Sequence, residues 1–481
     1  MKKEDQILPY ETVQECCRTD EEAAEQLLWQ AMEGFQKKIV VLDDDPTGVQ
    51  TVHDVSVYTD WEEDSIRKGF LEKESMFFIL TNSRSFSARE TEKVHRDIAK
   101  RIAKVAGELG QEFMIISRGD STLRGHYPLE TEAIAGELKE SAGQSVDGEV
   151  LCPFFPEGGR FTINNVHYVN EQEELVPAGM TEFAKDKTFG YHNSELCAYI
   201  EEKTGGEYRK EDCISISLEE LNSLDVSGIK EKLMKAQDMT RIVVNAVSYG
   251  DLKVFCAALV LAMKEGKQFI ARSAAALPKV LGRISDQPLL GRAQLAADEK
   301  NGGIVLIGSH VKKTTSQLEC LKTLEGNLDF MEFKVNSCFV PNGLEMEVEK
   351  TVAKAEAAIQ KGRTAVIFTS RTLLAPEDMT PEEKLQISVK ISDAVTSIIG
   401  KLHIKPRFII AKGGITSSDV GTKALRVKKA RVMGQVKKGI PVWMTGEESK
   451  FPGMPYIIFP GNVGEVSTLK EIVEELVLGG S

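Results

Sequence analysis

The chain has 481 residues, 42% hydrophobic and 28% charged, with 60 Lys and Arg against 73 Asp and Glu and a net charge of −13. That length suits two or three domains with large cores, and the ordinary composition excludes a disordered or fibrous chain. The acidic balance excludes DNA, RNA or an anionic membrane as the main partner, because those need a large cationic field.

Short runs rich in Val, Ile and Phe alternate with longer amphipathic stretches. In chain order the predicted strands are Lys38–Leu42, Val55–Tyr58, Met76–Leu80, Phe113–Ile116, Glu149–Cys152 and Arg241–Val244. After a change of texture come Gly303–Ile307, Ala365–Phe368, Arg407–Ile410 and Tyr456–Phe459. Helices are predicted over Ala88–Leu109, Glu345–Lys361 and Pro381–Leu402. This alternation predicts an α/β protein with mainly parallel sheets, and continuous apolar runs fit strands covered on both faces. A polar stretch, Ser285–Gly302, predicts the main boundary. The expected organisation is a helical extension over residues 1–34, a domain over 35–285 and a second over 286–481. The region Phe154–Tyr191 has little periodicity and many Gly, Pro, Asn and Phe residues, so it is expected to be irregular and functional.

No apolar run approaches the roughly 18 residues of a membrane span. Residues Met1 to Gly34 are charged and lack a signal-peptide core. A cytoplasmic location is therefore expected. The eight cysteines form no CxxC pair and the seven histidines no HExxH motif, so no protein-built metal site is expected.

Open parallel sheets bind ligands beyond the carboxyl ends of their strands. In the first half those ends read Asp43-Asp44-Asp45-Pro46-Thr47-Gly48, Thr81-Asn82-Ser83-Arg84, Ser117-Arg118-Gly119-Asp120-Ser121-Thr122-Leu123-Arg124-Gly125 and Pro153 to Arg160. Arg84, Arg118 and Arg124 at neighbouring strand ends predict a shared anion site. Hydroxyls such as Ser121 and the carboxylate of Asp120 suit sugar-like hydroxyls, and an aspartate of the acidic run could accept a proton. Three adjacent carboxylates repel one another, which a ligand, a cation or nearby arginines must offset. In the second half the strand ends are glycine turns: Gly308-Ser309, Gly413-Gly414-Ile415-Thr416-Ser417 and Pro460-Gly461-Asn462-Val463-Gly464. Glycine lets backbone amides approach a phosphate, and a following helix N-terminus favours negative charge. Neither GxxxxGK[ST] nor a GxGxxG opening a βαβ unit is present, and the protein-kinase signatures are absent.

With these segments in this order, the chain resembles the four-carbon acid sugar kinase family over roughly residues 36 to 476. The resemblance implies two three-layer α/β domains facing across a cleft, the first binding a sugar acid and the second a nucleotide. It implies ATP-dependent phosphorylation of a threonate, erythronate or 3-oxo-tetronate, with Mg²⁺ on the phosphates. Carried over by position, Asp44 and Asp45 would be catalytic. Asp44, Arg84, Arg118, Asp120, Ser121 and Arg124 would bind the acid, with Arg84 and Arg118 on its carboxylate. Ser309, Gly413, Gly414, Ile415, Thr416 and Gly461 would line the ATP site. The expected partners are small molecules, with no nucleic acid and no membrane, and a homodimer is left open. A nucleotide-dependent sugar-acid dehydrogenase or isomerase and a non-catalytic sensor are the alternatives.

Overall fold

A computed structural model describes residues 6–296, 300–371, 379–461 and 463–478. Residues 297–299 of the expected boundary and Asn462 of the last glycine motif lie outside the described residues. The chain divides into two compact units, Met1–Thr51 with Asp60–Ser285, and Val52–Thr59 with Asp286–Ser481. Among the described residues no helix is long and apolar enough to cross a membrane.

In the first unit the strands are β1 (Lys38–Asp43), β2 (Met76–Leu80), β3 (Phe113–Arg118), β4 (Gly148–Cys152), β5 (Arg160–Ile163), β6 (Val166–Glu171), β7 (Glu174–Pro177), β8 (Ile214–Ile216), β9 (Thr240–Val244) and β10 (Phe269–Ser273). Seven of them form a parallel sheet in the order β8-β9-β4-β10-β3-β1-β2. Every residue of β1 to β4 is buried, as the continuous apolar runs require of strands covered on both faces. The chain leaves β1 for β2 on one side, then crosses to β3 on the other. That reversal opens a crevice at the carboxyl end of β1, where such sheets bind ligands.

The crossing is made by helix Ala88–Leu109. It starts at Ser87, whose hydroxyl accepts the Glu90 N–H while the Glu90 side chain accepts the Ser87 N–H. It ends at Gly110 in the left-handed conformation, and Ile98, Ile102 and Val105 form its buried stripe. The N-terminal extension is part of this unit. Helix Glu21–Met32 buries Ala24, Leu28 and Ala31 and packs on helix Tyr249–Lys264. Lys253 pairs there with Glu21 and, at 2.6 Å, with Glu25. Upstream, Leu8–Pro9 pairs antiparallel with β7.

The region Phe154–Tyr191 is more ordered than its composition predicts. It contains the antiparallel sheet β5-β6-β7 and several short 3-10 turns. The missing periodicity has a physical reason: these strands are four to six residues long and only half of β7 is buried, so no apolar face repeats for long.

In the second unit the strands are β11 (Ile304–Ile307), β12 (Leu328–Phe333), β13 (Thr364–Thr369), β14 (Ile409–Lys412), β15 (Lys429–Lys437), β16 (Ile440–Thr445) and β17 (Pro455–Phe459). Strands β17-β14-β11-β13-β12 are parallel, and β16, β15 and Ser56–Tyr58 extend the sheet antiparallel. Ser56–Tyr58 falls within the first predicted domain by sequence position, yet it belongs to this unit because it pairs with β15. The polar stretch at the expected boundary is not a bare linker: Leu290 and Leu295 are buried in this unit's core beside Val305, Ile410 and Ile457.

Candidate functional site

The acidic turn after β1 is built from its own hydrogen bonds. The Thr47 N–H and hydroxyl donate to Asp45 Oδ1 at 2.9 and 2.5 Å, and the Asp45 N–H donates to Asp43 Oδ1 at 3.4 Å. Gly48 is required sterically, since a Cβ there would lie 2.0 Å from Asp43 Oδ2. The Asp43 carboxylate is thus turned into the loop, where Arg118 Nη1 lies 3.3 Å away. Arg84 follows Asn82, a left-handed residue (φ 59°) that turns the chain after β2. Its Nη2 and Nε donate to Asp44 Oδ1 and Oδ2 at 2.6 and 3.2 Å, and its Nη1 lies 3.6 Å from Asp45. Arg118 Nη1 lies 3.7 Å from Asp44. Arg124 Nε donates to Asp120 at 2.7 Å, and Thr122 also donates to that carboxylate.

The first unit thus brings Asp44, Asp45, Arg84, Arg118, Asp120 and Arg124 together. Sequence reasoning gave Arg84 and Arg118 to a substrate carboxylate; in the structure both guanidiniums are engaged by the acidic turn, and Arg118 is only 5% exposed.

The three aspartates differ in how burial and the arginines shift their pKa values. Burial, opposed by Arg118 and reinforced by Asp44 and Asp45, pushes Asp43 up to about 7. Burial also raises Asp44 against the pull of Arg84, Arg272 and Arg118. Burial acts on Asp45 too, but Arg84 and Thr47 outweigh it and hold Asp45 below the usual carboxylate range. Asp120 is likewise held low, by Arg84 and Arg124 against burial.

The Asp43 shift has a signed consequence. A folded pKa above the ordinary 3.8 means that the native state holds the proton more tightly, so this contribution to stability falls as pH rises from 3.8 to about 7. Asp43→Asn cannot ionise. Its thermal midpoint relative to wild type should therefore be higher at about pH 8 than at about pH 5. A difference independent of pH would remove the shift.

Sequence reasoning missed a second layer. Arg272, on β10, donates to Glu130 and, at 2.9 Å, to Ser117 Oγ. Its guanidinium threads between two glycines: Cβ atoms at Gly119 and Gly125 would lie 2.2 and 2.4 Å from Nη2. Glu130 also accepts from Ser83 Oγ at 2.7 Å and Ser117 Oγ at 3.0 Å. Three further side chains hold the Ser121–Leu123 loop by its carbonyls. His167 Nε2 donates to Ser121 O at 2.8 Å, Tyr191 Oη to Thr122 O at 2.8 Å and Tyr199 Oη to Leu123 O at 3.0 Å. Burial pushes His167 down to about 4, which keeps the ring neutral in this role. No sequence signal marks these braces, because they lie 46 to 76 residues from the loop they hold.

In the second unit the three glycine turns follow the adjacent parallel strands β17, β14 and β11, and they meet. A Cβ at Gly308 would lie 2.2 Å from Thr416 Oγ1, one at Gly413 3.0 Å from Ser309 Cβ, and one at Gly461 3.3 Å from Ser309 Oγ. Gly413 adopts φ +129°, which other residues avoid. The first hydrogen bond of helix Gly414–Asp419 is Ser417 N–H to Gly413 O at 2.8 Å, so the preceding amides are the orphan donors of a helix start. Ile415 is 70% exposed beside them. Thr314 Oγ1 ties the turns, donating to Gly461 O at 3.1 Å.

Two cations here were not foreseen as site residues. Lys412, at the end of β14, donates to Pro460 O at 2.7 Å and Gly461 O at 3.2 Å, and burial, with Lys313 nearby, lowers it to about 7. Arg371, after β13, donates to Ser309 O at 2.6 Å. Among the described residues no group of three or more His, Cys, Asp or Glu could hold a metal ion.

Residues 39–281 match the model of a sugar-binding N-terminal domain, and residues 304–469 that of a nucleotide-binding C-terminal domain. The chain belongs to the four-carbon acid sugar kinase family. The solved structures similar to this family member include a Salmonella typhimurium LT2 protein named provisionally as a tRNA synthase. It is 16% identical, with 90% of this chain and 98% of that chain covered and a TM-score of 0.66. A Haemophilus influenzae protein assigned to a domain family of unknown function is 17% identical, with 90% and 99% covered and a TM-score of 0.56. A Bordetella bronchiseptica protein with a domain of unknown function, a domain-swapped dimer with bound citrate, is 18% identical, with 91% and 98% covered and a TM-score of 0.39. At these identities the first two similarities concern the fold. No curated protein matches the sequence.

As a sugar-acid kinase family member the chain pairs a sugar-binding unit, which holds the aspartate–arginine cluster, with a nucleotide-binding unit, which holds the glycine turns. The two glycines of the Gly413-Gly414 turn should respond differently to substitution. Gly413→Ala forces a Cβ into a strained backbone against Ser309, and should weaken nucleotide binding by roughly tenfold or more. Gly414→Ala meets nothing within 4 Å and should change it little. Titration calorimetry with ATP and ADP checks the pair; equal effects would contradict the cradle.

Proposed function

We propose that this protein transfers the γ-phosphoryl group of ATP to a hydroxyl of a four-carbon sugar acid of the threonate, erythronate or 3-oxo-tetronate type. The observation that carries the reading is the cluster at the carboxyl ends of β1, β2 and β3. There, carboxylates whose pKa values are shifted in opposite directions sit among arginines within a sugar-binding unit. In this reading residues 35–285 take the acid and residues 286–481 the nucleotide.

Asp44 is the base. Its raised pKa makes it the stronger proton acceptor, while the depressed Asp45 is a hydrogen-bond acceptor that orients the attacking hydroxyl. The hydroxyl oxygen bonds to the γ-phosphorus, the bridging β–γ P–O bond breaks, ADP leaves, and the proton passes to the Asp44 carboxylate. Asp120, Ser121 and Arg124 read the other hydroxyls. Ser309, Gly413, Gly414, Ile415, Thr416 and Gly461 hold the phosphates through backbone amides and hydroxyls. Phosphoryl transfer needs positioning and charge neutralisation more than covalent chemistry. The unit offers no all-protein cation cage among the described residues. Mg²⁺ would arrive on the nucleotide phosphates, where it needs only one or two protein carboxylates. When bound there it would neutralise phosphate charge.

A coupled ADP-release assay over a panel of tetronates and their 3-oxo forms tests the reading. One acid should release ADP in proportion to acid consumed. No acid-dependent release across the panel would overturn it.

A further inference from the structure

Five arginines surround the aspartate cluster, and four of them are already neutralised. Arg84 is paired with Asp44 and Asp45, Arg118 with Asp43 and Asp44, Arg124 with Asp120, and Arg272 with Glu130. The fifth is Arg160, at the start of β5. Among the described residues its guanidinium pairs with no carboxylate, and its buried Nε has no hydrogen-bond partner. A buried guanidinium donor without a partner is costly and calls for an explanation.

The surroundings place this group at the sugar-binding cluster. The Arg160 guanidinium lies 5.6 Å from the Phe183 ring centroid, and Arg124 lies 5.0 Å from the same ring. Arg124 in turn holds Asp120. Asp120 and Arg124 are the two charges that act most strongly on Arg160. The backbone is pinned as well: the Arg160 N–H donates to Phe155 O at 2.9 Å, and the Phe155 N–H donates to Arg160 O at 3.1 Å. The guanidinium is thus presented by a sheet and oriented by an aromatic face, with Asp120 near enough to act on its charge but no carboxylate in ion-pair contact among the described residues.

We propose that Arg160 binds the carboxylate of the substrate acid and makes the enzyme select acids over neutral sugars. The assignment rests on the sugar-acid kinase reading and deepens it. The physical argument is charge balance. An acid docking on Arg84 or Arg118 must displace a carboxylate already in place. Docking on Arg160 instead satisfies a guanidinium that has no ion-pair partner among the described residues, with a planar fork suited to a carboxylate.

The test compares wild type, R160Q and R160K with a tetronate and with the corresponding tetronamide, in which an uncharged amide replaces the carboxylate. Steady-state kinetics and calorimetry are read together, with thermal midpoints confirming the fold. R160Q should raise the KM for the acid roughly 10- to 100-fold, the scale of one lost charge-assisted contact. The kcat and the KM for ATP should hold near wild type, and the preference for acid over amide should collapse. R160K keeps the charge and should recover part of that preference. Wild-type-like acid binding by R160Q, or equal losses for acid and amide, would overturn the assignment alone. A wild type that binds none of the acids would overturn the sugar-acid reading together with it. If R160Q fails to fold, R160K against the acid–amide pair decides: an unchanged preference and an unchanged KM for the acid would overturn the need for the fork.

Discussion

Asp44→Asn should lower kcat by about 10²-fold or more while leaving nucleotide affinity at the wild-type level. The carboxylate is buried and its pKa raised, the state of a group ready to take a proton. Asparagine fills nearly the same space but cannot accept that proton. It also offers only one oxygen where Arg84 now donates to two, so part of the loss comes from Arg84 shifting. The pH profile separates these effects. In wild type, kcat/KM should fall as pH drops through a pKa above the ordinary carboxylate value, because protonated Asp44 no longer accepts. Asp44→Asn should lack that limb. Asp45→Asn should lose less, about tenfold, because in the proposed mechanism Asp45, its pKa held low, only orients the hydroxyl. Near-normal turnover in Asp44→Asn would sink the assignment of the base.

Glu130→Gln should cost about 3–5 kcal/mol of stability, read from the urea unfolding midpoint. Glu130 is 1% exposed and accepts from Arg272, Ser83 and Ser117. Burial alone would raise its pKa, but Arg272, His95 and the two serines outweigh it and bring it to about 2. Removing the charge leaves the Arg272 guanidinium uncompensated in a site that water barely reaches. The sign in pH is fixed by the depressed pKa. The contribution is present above the ordinary value of 4.5 and is lost as pH falls toward about 2. The gap between wild type and Glu130→Gln should therefore narrow on acidification. Replacing both partners, as in Glu130→Leu with Arg272→Met, should cost less than Glu130→Gln alone, since no bare charge remains. A gap that widens at low pH, or a fully additive double variant, would contradict the pairing.

The stretches that sequence reasoning read well are those where local pattern and tertiary role agree. Lys38–Leu42, Met76–Leu80 and Phe113–Ile116 are continuous apolar runs, and they become fully buried central strands. Ala88–Leu109 carries both of its own caps, and its bounds match. Where pattern and role part, the reading failed. Phe269–Ser273 contains an arginine in a five-residue run and was not predicted, yet it is a fully buried strand between β3 and β4. Its arginine can be buried only because Glu130, 142 residues earlier, lies against it. Strands β15 and β16 form a hairpin in which β15 alternates buried residues with partly or fully exposed ones around lysines and an arginine, so it lacks the continuous apolar run of the predicted strands.

The sequence by itself determined the class of sheet, the helices with strong caps, the glycine turns and the residue types at the strand ends. Those features depend on neighbours within a few positions. The acidic balance of −13 argues against a polyanion as the main partner, although the proposed ligands are small anions. Only the tertiary structure decided which charges meet. It gave Arg84 and Arg118 to the aspartates, put Arg272 on Glu130 and left Arg160 without an ion pair among the described residues. Ion pairing and burial depend on distance in space, and residues 40 to 142 positions apart share these contacts. The pattern of one strand end cannot say which charge on another will compensate it.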